Sequence, residues 1–121
     1  MPADRRHLLG WQGETVAEQA AVARGWTPWL RRYRVAGSEI DLGLRRQTAT
    51  GLALLLLEVK TATTAHDDLA SRWTARQQGR LWRAAGVLAE REQASSVEVA
   101  LVIVVLGHDH SRVQWLPAEP F

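Results

Sequence analysis

The sequence predicts a single α/β domain, a β-sheet with helices packed on it, its elements running α-β-β-β-α-β-β. Three observations carry that expectation. The run "LALLLL" at 52 to 57 is apolar at every position, as in a central strand covered on both faces, whereas a strand with one wet face would alternate. The segment from about 69 to 92 repeats its large side chains at helical spacing, and the β-branched "VEVALVIVVL" follows it at 97 to 106. The chain of 121 residues, 46% of them hydrophobic, holds enough apolar material for one core, so residues 1–121 are expected to form one domain.

The elements follow in order. From Glu14 to Arg24 the chain is alanine-rich and ends at Gly25, the pattern of a helix closed by a glycine cap. Pro28 stops the helix from continuing. Residues 29 to 36 and 39 to 45 read as two strands joined by a tight turn at Gly37, and 52 to 60 as a third. In the second helix Trp73, Gln77, Leu81, Ala84 and Leu88 recur at spacings of four, four, three and four, a stripe that should face the sheet. After the strand at 97 to 106, "GHDHS" is a polar turn and 112 to 116 a last strand.

Composition closes several routes. With no cysteine, disulfides and thiolate metal sites are excluded, and oxygen or imidazole ligands remain. The first residues show no apolar signal segment, and the longest apolar runs fall short of the roughly 18 residues that cross a bilayer. A soluble cytoplasmic protein with no membrane partner is expected. The formal net charge is only +2, so any nucleic-acid argument rests on how charge is distributed.

Chemistry concentrates at "LEVK", residues 57 to 60. Side chains at i and i+2 of a strand share a face, so Glu58 and Lys60 project together while Val59 faces away. If the preceding strand pairs as a hairpin, Asp41 approaches Glu58. Two carboxylates and an ammonium at one sheet end suit a hard divalent cation and an anionic phosphate, although "EVK" standing alone reads first as an ordinary ion pair at a strand end. Lys60 is the only lysine; the other 14 of the 15 Lys and Arg cations are arginine. Glu39 shares a strand face with Asp41. Gln77 is a polar residue in an apolar stripe, and it either faces the site or marks the wet edge of the helix. His108 and His110 belong to a polar turn. Arg72, Arg76, Arg80 and Arg83 recur at four, four and three beside the apolar stripe, and Arg31, Arg32 and Arg34 are interleaved with aromatic residues. Both sets can follow a phosphate backbone or form a solvated face.

The ordered set Glu14, Glu39-Ile40-Asp41 and Glu58-Val59-Lys60 follows the PD-(D/E)xK nuclease signature, and the chain resembles the YraN-like family of small bacterial predicted endonucleases, related in fold to archaeal Holliday-junction resolvases. The resemblance rests on Gly13 and Glu14, Gly25 and Trp26, Tyr33 and Arg34, "SEIDLG" at 38 to 43, "LEVK" at 57 to 60 and "GRLWRAAGVL" in the second helix. It covers nearly the whole chain. It implies a restriction-endonuclease-like core, a Mg2+ or Mn2+ ion held by Asp41 and Glu58, Lys60 positioning or activating water, and Glu14 reaching in from the first helix. DNA, branched DNA included, is the implied partner, and junction resolution would call for a homodimer. Ser38, Ala62 and Glu98 depart from the family pattern, as does Gln77, where the family usually has lysine. A nucleic-acid-binding module that keeps the fold without cleaving is the alternative.

Overall fold

The computed structural model describes residues 5–63 and 68–118, with side chains from Leu8 onward. The elements are α1 (Arg5–Ala23), β1 (Thr27–Val35), β2 (Ser38–Thr48), β3 (Gly51–Ala62), α2 (Ala75–Glu92), β4 (Ser96–Leu106) and β5 (Ser111–Pro117). The expected order stands. The five strands form one mixed sheet in the order β1-β2-β3-β4-β5. Neighbours are antiparallel except β3 and β4, which run parallel because α2 carries the chain back between them.

The leucines of β3 explain its central place. Leu55 and Leu57 pack with Ala17 and Ala21 of α1, while Leu54 and Leu56 pack with Leu81, Ala84, Ala85 and Leu88 of α2. A strand buried on both faces needs an apolar residue at every position, and β3 has one from Leu52 to Leu57. β1 and β2 are joined through Ala36 and Gly37, both at positive φ (52° and 76°), the pattern of a two-residue type I′ turn.

Two helix starts differ from expectation. α1 begins at Arg5, nine residues before Glu14, so Gly13 and Glu14 lie inside the helix. Its glycines look like breakers, yet Gly13 is there for contact: a Cβ on it would collide with Thr61 Oγ1 of β3. The far end closes as expected, with Gly25 at φ 95° and the bonds Trp26 N–H to Ala21 O and Gly25 N–H to Val22 O of a Schellman motif. α2 begins at Ala75 rather than near 69, after a short 3-10 turn over Ala70–Arg72. Thr74 caps it in a capping box with Gln77, which ends helical winding upstream and leaves Trp73 outside the helix.

Candidate active site

The site forms where β2 and β3 part. Their ladder ends at the pair Leu42↔Leu57. One step beyond, Asp41 accepts a hydrogen bond from the Val59 backbone N–H at 2.7 Å, so a side-chain oxygen does the work of a ladder carbonyl. That bond fixes Asp41 beside Glu58, as the hairpin pairing anticipates. Alternation along β3 from Leu54 and Leu56 puts Glu58 and Lys60 on the face that α2 covers, and Val59 packs on the α1 side.

Burial pushes both acids toward their protonated forms. Asp41 rises from 3.8 to about 6, mainly by desolvation, with the charges of Glu14 and Glu39 adding to it and the Val59 N–H opposing. Glu58 rises from 4.5 to about 7, again mainly by desolvation, then by the negative charge of Asp41, with Lys60 opposing. The two carboxyls lie close enough to act on each other, so the pair titrates together and holds a proton that ordinary carboxylates release. One lysine does not offset two half-buried acids.

Glu14 is differently served. It is the buried charged residue among those described, 6% exposed. Arg32 Nε lies 2.9 Å from its Oε1 and Arg31 Nε 3.5 Å. Consecutive strand residues ordinarily point to opposite faces; here Arg32 sits at φ 51°, in the left-handed region, and the alternation is broken so that both guanidiniums meet one carboxylate. Arg31 Nη2 also donates to Trp11 O and Thr15 Oγ1, each at 2.9 Å, and its guanidinium lies 3.8 Å from the Trp11 ring centre. Glu14 thus reaches toward the fork from α1, close enough for its charge to act on Asp41 and Glu58.

Beside the pair lies a cleft of about 280 Å³ lined by Arg34, Ser38, Glu39, Glu58, Gln77 and Arg80, among others. Gln77 is half-buried here, and its Oε1 accepts from the Thr74 N–H that it caps. Gln77 thus lines the cleft and completes the helix start, a capping role that its place in the apolar stripe does not suggest. Arg72, Arg76, Arg80 and Arg83 are all exposed, and no described carboxylate pairs with them or with Arg34. Arg31 and Arg32 are turned inward onto Glu14. His108 and His110 are exposed in the turn closed by Gly107 N–H to His110 O.

Among the described residues no group of three His, Cys, Asp or Glu side chains is arranged to hold a metal ion. The pair Asp41 and Glu58 nevertheless suits Mg2+, which takes one or two carboxylates and keeps several waters. A cation is also what two mutually repelling, desolvated carboxyls lack.

Residues 13–105 match the Uncharacterised protein family UPF0102. The chain belongs to this family. A UPF0102 protein of Maricaulis maris (strain MCS10) is 35% identical over 125 aligned residues, taking in 87% of this chain and 94% of that protein. UPF0102 proteins of Methylorubrum extorquens (strain PA1) and Methylobacterium nodulans are 37% and 38% identical, in each case over 69% of this chain and 64% of the relative. Glu14, Glu39, Asp41, Glu58, Lys60 and Gln77 all fall inside the span matched to UPF0102. Two features of the site were not foreseen. The grip of Arg31 and Arg32 on Glu14 depends on a left-handed residue that no glycine or asparagine announces, and the capping box was written as Thr74-x-x-Gln77.

Proposed function

We propose that this UPF0102 chain has a restriction-endonuclease-like core and is a metal-dependent endonuclease acting on DNA, branched DNA included. One observation carries the reading. Asp41 and Glu58 are brought together at the fork of a rigid sheet with too little positive charge to match them, and the lone lysine stands on the same face.

Asp41 and Glu58 would hold Mg2+ or Mn2+. When bound, the ion supplies Lewis acidity at the scissile phosphate and lowers the pKa of the attacking water. The chain's own residues do the rest. The Val59 N–H holds Asp41 in place, β3 holds Glu58, and Lys60 offers a compact ammonium to a phosphate oxygen or to the water. Glu14 positions Arg31 and Arg32 and adds a fixed negative charge near the pair. The exposed arginines of α2 give a phosphate backbone a surface to follow.

Purified protein incubated with linear, single-stranded and four-way-junction DNA in Mg2+ or Mn2+ tests this. Nicking should vanish in Asp41→Asn and Lys60→Ala, and Lys60→Arg should fold normally yet lose activity. Cleavage that persists in all three variants counts against the site. Salt-sensitive binding without cleavage on any substrate points to the non-catalytic module.

A further inference from the structure

We propose that the cleft between Arg34 and Arg80 is a subsite for one phosphate of a nucleic-acid strand, flanking the phosphate that is cleaved. The inference rests on the proposed function but uses residues apart from Asp41 and Lys60. Arg34 comes from the end of β1 and Arg80 from α2, so the two guanidiniums line one cleft from different walls. Neither forms an ion pair with a described carboxylate. Arg34 stands directly across the ladder from Glu39, yet no ion pair closes between them. That contrasts with Arg31 and Arg32, three and two residues earlier, which are both committed to Glu14.

The remaining lining fits the same ligand. Ser38 and Gln77 bring a hydroxyl and an amide, and Leu81 brings an apolar wall. A volume of about 280 Å³ is small for a duplex and matches a phosphate with part of its sugar. Glu58 reaches the cleft from the metal-binding pair, so a phosphate held here is the neighbour of the one at the pair. Arginine is the fitting cation, because its planar fork meets two phosphate oxygens at once. Glu39 and Glu58 balance the two arginines while no cation is bound. Occupation of the pair by a divalent ion would turn the cleft positive, so anion and metal should bind cooperatively.

The test is calorimetric titration of the full chain with inorganic phosphate, thymidine 5′-monophosphate and a thymidine hexanucleotide, with and without Ca2+. The expected result is that the hexanucleotide binds tighter than either small anion, that Ca2+ strengthens it, and that Arg34→Ala and Arg80→Ala each weaken it about tenfold. Arg112→Ala, on β5, should change nothing, and both cleft variants should keep the Ca2+-dependent rise in melting temperature. Three results would overturn the proposal: hexanucleotide binding unchanged in both cleft variants, an equal loss in Arg112→Ala, or binding of the small anions as tight as that of the strand, which would make this a free-nucleotide site. A missing Ca2+ response in the wild type would instead sink the metal site, while the two arginine variants still decide the subsite.

Discussion

Two acidic centres lie close together in this molecule and are treated in opposite ways. Glu14, on α1, is buried and gripped by Arg31 and Arg32, with Arg31 itself held by Trp11 and Thr15. Asp41 and Glu58, on β2 and β3, have each other, one backbone N–H and the fields of Lys60 and Arg32. The first centre is complete, and the fold tolerates its buried charge only so long as every partner stays. The second is raised mainly by desolvation, with mutual repulsion adding to it and little positive charge to oppose it. On the proposed function, the difference separates an acid that holds the fold from a pair available for chemistry.

Breaking the complete centre should have the largest effect. Arg31→Ala with Arg32→Ala strands a buried carboxylate, and urea unfolding should show a loss of about 2–4 kcal/mol, below the full value for a buried pair because the arginines are about a quarter exposed. Adding Glu14→Gln should restore most of that stability, whereas the arginine pair would show no such coupling to Glu14 if the grip were decorative.

The incomplete centre should respond with the opposite sign. Both acids are raised, so between about pH 4 and 7 the folded protein keeps protons that the unfolded chain has released. Metal-free stability should therefore fall as pH rises through that window. Asp41→Asn removes one charge and still accepts from the Val59 N–H, so it should stabilise the metal-free protein at pH 8 by about 1–3 kcal/mol and flatten the pH profile. A melting temperature that rises from pH 5 to 8 would mean the pair is not short of charge. The smallest change lies at the rim: Gln77→Ala breaks half of the capping box and should cost about 0.5–1 kcal/mol, read as a lower urea midpoint with an unchanged slope.

The strands, their order and the meeting of Asp41, Glu58 and Lys60 were legible in the sequence, because they follow from strand alternation and from an apolar run that only a central strand explains. The Gly25 cap was legible for the same local reason. The start of α1 was not, since Gly10 and Gly13 argue against helix locally and only the close approach to Thr61 shows why Gly13 is tolerated. The start of α2 was written in Thr74 and Gln77 but was overridden by an apolar repeat that ran on to Trp73. The turning inward of Arg31 and Arg32 was out of reach. It depends on one left-handed residue in β1 and on a bulge at Trp29, where the register slips between Pro28 and Leu30, and neither residue type signals it.

On the proposed function, Asp41 and Glu58 are a cation-deficient pair that takes a divalent ion. Thermal unfolding at pH 8 across a Mn2+ titration tests it most directly. The wild type should gain about 2.7 kcal/mol at a hundredfold excess over Kd. Glu58→Gln and Asp41→Asn should abolish that gain, and Glu14→Gln should keep most of it. A wild type indifferent to Mn2+, or a gain that survives in Glu58→Gln, would rule out a metal site at the pair.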